Sequence, residues 1–271
     1  MIQTLHLIEP LEAKLIDLLH SLSDAEWNKP TVAKKWTVKD VAAHLLDTSV
    51  RTAALLHNHQ GDAPDAIYSY NDLVNYLNRL NEEWVKAMRR VSTTTLIQFL
   101  ELAQKPMLQY YHSLDPQAIA AFSVAWAGEQ ESKNWFHLAR EYTERWHHQQ
   151  QIRDAVEKPG IMNREFFHPM IDTLLQALPY AYRHTQAPQG TQVQVHISGE
   201  AGGTWTLEAT NTDWFLTTTK KVATTKITLT PDTAWKLFTK AFSAWQAAAR
   251  VTIEGHKQLG LPLLKMIAVM G

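Results

Sequence analysis

The chain of 271 residues contains no cysteine. That excludes a disulfide framework and any metal site built on thiolates. A bound metal must then be held by His, Asp or Glu, and thiol chemistry must use a thiol brought from outside. An excess of one charge is lacking too. Lys plus Arg number 26 against 27 Asp plus Glu, a formal net charge of −1, so the basic footprint of a nucleic-acid-binding domain is missing. No stretch approaches the roughly 20 apolar residues of a membrane span. The opening Met1-Ile-Gln-Thr-Leu-His-Leu-Ile-Glu-Pro10 has neither the basic start nor the apolar core of a signal peptide. These absences lead us to expect a cytoplasmic protein with neither nucleic acid nor membrane among its partners. A Gly-rich phosphate loop, a Ser-centred nucleophile elbow and a zinc-protease helix motif are also missing. What is present is globular in kind: 45% hydrophobic and 20% charged residues argue against disorder.

The first 185 residues or so carry helical patterns. Leu5, Ile8, Leu11, Leu15, Leu18 and Leu19 recur at helical spacing, with Pro10 expected near the helix start. Ser23-Asp-Ala-Glu26 and Thr37-Val-Lys-Asp40 read as capping boxes. The second should open a helix that carries His44 and runs to about His57, before a break at Gly61-Asp-Ala-Pro64. Further helices are expected over 71–90, 94–112 (kinked or split by Pro106), 132–156 and 164–182, with Trp126-Ala-Gly128 as loop. After Pro188-Gln-Gly190 the texture changes to strands near 191–198, 204–210, 214–219 and 226–230. A helix from Thr230-Pro231 to about Ala248, a strand over 250–254 and a last helix ending near Val269 follow. The expected fold class is α+β: a helical bundle over 1–187 and a small α+β domain over 188–271.

One run stands out, Arg140-Glu-Tyr-Thr-Glu-Arg-Trp-His-His-Gln-Gln-Gln-Ile-Arg-Asp154. Glu144 and His148 are four residues apart, so on a helix they lie one above the other and can reach one divalent cation. His137, Glu141 and Gln151 share that broad face, and a face this rich in His and Glu is also what a solvated helix shows. His147 should point about 100° away from His148. A third ligand must come from elsewhere, and His44 is the candidate. It sits between Val41-Ala-Ala43 and Leu45-Leu46, an apolar setting in which a neutral imidazole needs partners. Either a hydrogen bond satisfies it, or it meets the Glu144/His148 pair across the bundle. Two imidazoles and one carboxylate leave coordination positions open, as catalytic metals require. Asp47 and Arg51 share the face of His44; they can line a substrate site, or simply pair with each other. His57 and His59 read as surface residues, and His112, His168, His184, His196 and His256 as isolated ones. Trp126 and Trp135 flank the start of the long helix, where they could wall a pocket.

These segments together resemble a known family. Trp36-Thr-Val-Lys-Asp-Val-Ala-Ala-His-Leu-Leu-Asp47, with Glu144 and His148 in their run, is similar to the mycothiol-dependent maleylpyruvate isomerase family. The C-terminal segments Val193-to-Ala209 and Ala249-to-Met266 resemble the small domain that follows the bundle there. The resemblance implies a DinB-like, up-and-down, metal-binding helical bundle followed by a sterol-carrier-like α+β domain. It implies a divalent metal, zinc or else nickel, held by His44, Glu144 and His148. It also implies a low-molecular-weight thiol that attacks a small electrophilic substrate as its thiolate. The functional expectation is a metal-dependent, thiol-using transferase or isomerase, with Asp47 and Arg51 assigned to substrate binding. Its rivals are a non-enzymatic binding protein for a small ligand, and a metal-water hydrolase with Glu141 as base.

Overall fold

The structure, a computed structural model, describes residues 1–59, 67–219 and 221–269. The break expected at Gly61–Pro64 lies outside the described residues. Helices α1 (Leu5–His20), α2 (Asp24–Trp27), α3 (Val38–Ala54), α4 (Tyr70–Met88), α5 (Thr93–Ser113) and α6 (Asn134–Val156) come first, then α7 (Arg164–Leu174) and α8 (Leu178–Tyr182). Strands β1 (Gln192–Ile197), β2 (Gly203–Ala209), β3 (Trp214–Thr217) and β4 (Thr225–Leu229) follow. Helices α9 (Pro231–Phe238) and α10 (Ala244–Ala248), strand β5 (Thr252–Gly255) and helix α11 (Leu261–Leu264) close the order. The class is α+β, as the patterning implied. Among the described residues no helix is long and apolar enough to cross a membrane.

By contacts the chain divides into two compact units. A bundle unit takes residues 4–118 and 144–160, and a sheet unit takes 1–3, 119–143 and 161–269. The first strand starts at Gln192, and α7 and α8 belong with the strands in the sheet unit.

In the bundle unit α3 packs against α5 and α4, and α1 against α5. Leu15, Leu19, Val41, Leu45, Leu96 and Leu100 are among the buried side chains of that core. Both capping boxes form: Ser23 accepts from the Glu26 N–H and Thr37 from the Asp40 N–H, while each acidic side chain accepts from its cap residue's N–H. Pro10 lies inside α1 rather than at its start. Leu7 and Ile8, both buried, hold the turn before it in helical form. Pro106 likewise sits within a continuous α5 instead of splitting it. The long helix α6 ends at Val156, and Glu157 turns the chain out in the left-handed region at φ 58°. The guanidinium of Arg153 then holds the exit. It donates to the carbonyls of Lys158 and Pro159 at 3.2 and 3.1 Å and to Lys14 of α1 at 2.9 Å. A Cβ at Gly160 would meet that guanidinium at 2.6 Å and require it to shift.

The sheet unit holds a five-stranded sheet in the order β3-β2-β1-β4-β5. The β1–β4 pair is parallel and the others antiparallel. Val193, Val195 and Ile197 of β1, with Ile227 and Leu229 of β4, alternate into a buried face. The helix expected from 231 to 248 is two helices. Lys240 adopts φ 66°, and Ser243 with Gln246 starts a new capping box. The last expected helix is likewise shorter, a 3-10 turn over Lys257–Gly260 and then α11. Trp126 lies in a 3-10 turn, not a loop, and Gly128 leaves it at φ 84°.

Candidate metal centre

The first turn of α3 is fixed before its histidine is reached. Asp40 completes the Thr37 cap and also receives Nε and Nη2 of Arg89, just past α4, at 3.0 and 3.1 Å. Burial pushes the Asp40 carboxyl up, but the bonds from Arg89 and Thr37 outweigh it and leave it below its ordinary value. Lys39 donates to the carbonyls of Arg89 and Val91, and Trp84 Nε1 donates to that of Ala43 at 2.9 Å. His44, one residue on from that carbonyl, is therefore carried by a helix pinned along α4.

His44 is 7% exposed. Its ring lies 4.9 Å from that of Trp36 and 4.6 Å, edge-on, from that of His148. Trp36 also flanks His148, at 6.2 Å. His44 of α3 and His148 of α6, about a hundred residues apart in sequence, are thus neighbours. Glu144 Oε2 lies 3.7 Å from His148 Nε2. It also lies 3.7 Å from Nδ1 of His147.

His147 corrects the sequence reading. A 100° offset was expected to take it away from His148, yet the two rings are 3.9 Å apart. The reason is helical: residues three and four beyond Glu144 both neighbour its side chain, and the two imidazoles lean in from either side. Glu144, His147 and His148 offer ligand atoms that all lie within 4.8 Å of one another. His44 stands next to this trio through its contact with His148.

The chemistry of these groups suits a cation. Burial pushes His44 well below the usual imidazole value, and the charges of His148 and Arg51 add to the effect. Burial first, then His147, bring His148 down to about 3, against the opposing pull of Glu144 and Gln151. Both rings are therefore neutral near pH 7, the form that binds metal. Gln151 Oε1 sits 2.9 Å from His148 Nδ1. An accepting amide oxygen requires Nδ1–H, which leaves the Nε2 lone pair facing Glu144. His44 Nδ1 is buried with no hydrogen-bond partner among the described residues. A buried ring nitrogen without a partner is costly, and a metal ligand is one role that accounts for it. The residues present thus fit a divalent cation with nitrogen and oxygen ligands.

The neighbouring candidates sort themselves. Asp47 and Arg51 pair with each other, Nη2 to Oδ2 at 3.0 Å. Burial raises the Asp47 carboxyl, and the Arg51 guanidinium draws it partly back. In the sheet unit, Glu141 accepts from Arg140 Nη2 at 2.6 Å, and Arg140 also meets His137 Nδ1 at 2.9 Å. His137 is buried and driven down to about 4, so this face of α6 is not a solvated one. Trp126 and Trp135 both pack on Phe136, at 5.8 and 5.1 Å. His57, His59, His112, His184 and His256 are exposed. His196 is half-buried beside Thr204, and His168 meets the carbonyl of Gly202.

Fold and site define a class: a two-part α+β protein whose helical bundle carries a His/Glu cluster, its imidazoles buried, on its longest described helix. Residues 8–153, more than half of the chain, match the family described as mycothiol maleylpyruvate isomerase N-terminal domain, and the chain belongs to that family. The match spans His44, Glu144, His147 and His148. No curated protein matches the chain by sequence. Among solved structures, the crystal structure of the mycothiol-dependent maleylpyruvate isomerase is similar at TM-score 0.56 and 12% identity, covering 92% of this chain and 91% of that one. A histidine-to-alanine mutant of that enzyme is similar at TM-score 0.55 and 11% identity, with the same coverage. At such identities the likeness speaks for the fold.

Proposed function

We propose that the chain is a divalent-metal-dependent, thiol-using transferase or isomerase acting on a small electrophilic substrate. The names of its structural neighbours, mycothiol-dependent maleylpyruvate isomerases, point the same way. The observation that carries the reading is the buried meeting of neutral imidazoles with a carboxylate. Glu144 Oε2 lies 3.7 Å from His148 Nε2, and the His44 ring beside it has an unpartnered Nδ1.

His44, Glu144 and His148 would hold the ion; zinc suits two imidazoles and a carboxylate, and nickel accepts the same donors. When bound, the cation supplies Lewis acidity that favours the thiolate over the thiol at neutral pH. Gln151 fixes the tautomer of His148, and Trp36 covers both ligand rings from one side. The thiol comes from outside, because the chain has no cysteine. We assign the substrate to Asp47 and Arg51. A guanidinium steadied by Asp47, with 49% of its side chain exposed, is suited to a substrate carboxylate.

Metal analysis of protein purified without a histidine tag tests the reading. About one divalent ion per chain is expected, lost in His44→Ala and in His148→Ala. Thiols should raise the melting temperature only of the metal-loaded protein. Metal content unaffected by both substitutions would overturn the site, and stabilisation by thiols without metal would overturn the role given to it.

A further inference from the structure

Glu12 occupies a place on α1 meant for an apolar residue. It follows Ile8 by four and precedes Leu15 by three, both buried at the helix's packed face. Its side chain is 2% exposed, and so is that of Arg145 on α6. Arg145 Nη1 donates to Glu12 Oε1 at 3.1 Å and to the hydroxyl of Ser49 at 3.2 Å. Ser49, five residues beyond His44 on α3, donates its own hydroxyl to the carbonyl of Leu45 at 2.9 Å. One buried guanidinium thus joins α1 to both ligand-bearing helices of the bundle unit.

Its location is electrostatically awkward. Arg145 adjoins Glu144 in sequence and precedes His148 by three residues. Interactions between charges in a buried site are weakly screened. The positive charge of Arg145 opposes that of a divalent cation held nearby. Glu12 is a buried carboxylate that meets this guanidinium. Its second oxygen, Oε2, is buried with no hydrogen-bond partner among the described residues. A carboxylate kept in a core with half its hydrogen bonding unmet is explained better by its charge than by its packing.

Resting on the metal reading above, we propose that Glu12 is a charge-compensating positioning residue for the metal centre. It touches no ligand. It cancels the field of Arg145 and, through Arg145 and Ser49, sets α1, α3 and α6 so that a divalent cation is tolerated at His44, Glu144 and His148.

The test is cobalt(II) and zinc affinity by titration calorimetry, with the cobalt absorption spectrum as a report on geometry and far-UV circular dichroism as a check of folding. Glu12→Gln keeps the shape and removes the charge; it should weaken binding by about tenfold or more, the usual scale for groups behind the ligands. Removing both charges in Glu12→Gln/Arg145→Met should restore most of the loss, which a merely structural role would not do. Should Glu12→Gln fail to fold, Ser49→Ala removes the hydroxyl that accepts from Arg145 and should weaken binding in the same direction. Wild-type affinity in the folded single variants, or no recovery in the double variant, overturns the proposal. Metal bound by the wild type and lost in His148→Ala, but unaffected by Glu12→Gln, overturns it alone. No binding by the wild type overturns it together with the metal reading.

Discussion

Gln151 decides which nitrogen of His148 is available, through one contact of 2.9 Å to Nδ1. Replacing it with leucine leaves the tautomer unset and removes a partner from a buried ring. Gln151→Leu is expected to weaken zinc binding by about 10- to 100-fold, measured by competition with a chromophoric chelator, with the fold intact. Affinity unchanged by the substitution would show that His148 is oriented by packing alone. At this scale the sequence was informative wherever spacing was local. The i,i+4 pair Glu144/His148 and the apolar setting of His44 are both visible in the string of residues. His147 was missed because a 100° offset was read as separation, while a helix places both i+3 and i+4 beside residue i. Glu12 was missed although its signal was present, an acidic residue in the middle of an apolar stripe. Finding its partner needs the tertiary fold, since Arg145 lies on another helix.

Among the elements, α3 is the one whose placement the site depends on, and the Thr37/Asp40 box with Arg89 sets its first turn. The folded pKa of Asp40 lies below its ordinary value, so the charge contributes stability above the unfolded value near 3.8. That contribution is lost as pH falls through the folded value. Asp40→Asn should therefore cost about 0.5–1 kcal/mol near neutral pH, a modest sum because Arg89 is largely exposed. The difference from wild type should start to narrow below about pH 4 and shrink further as pH falls through the folded value. Urea midpoints of both proteins from pH 7 to 2.5 check this, and a difference that persists undiminished at pH 2.5 would assign the effect to packing. Elements were legible where capping and periodicity agreed, as at Ser23, Thr37 and Thr230. They were misjudged where a single residue was given too much authority. Pro10 and Pro106 sit inside helices that burial holds together. The break between α9 and α10 lies in a left-handed Lys240, which no Gly or Pro announces.

For the whole molecule, the order of the proposed ligands along the chain has a kinetic consequence. Glu144 and His148 are neighbours on α6 and meet as soon as that helix forms, whereas His44 joins them from α3, roughly a hundred residues away. A chain that has not yet packed α3 against α6 would offer the cation the groups of α6 without His44, so the proposed set of His44, Glu144 and His148 would exist in the native state alone. Metal at about 100 times its dissociation constant should then add about 2.7 kcal/mol of stability. That gain should fall on the unfolding rate, slowing it about a hundredfold while leaving the folding rate unchanged. Stopped-flow folding and unfolding in urea, with and without zinc, would show it. A faster folding limb would mean that His44 is already in place at the transition state. On the expected outcome, the cation governs how long the fold lasts and has no say in how quickly it forms.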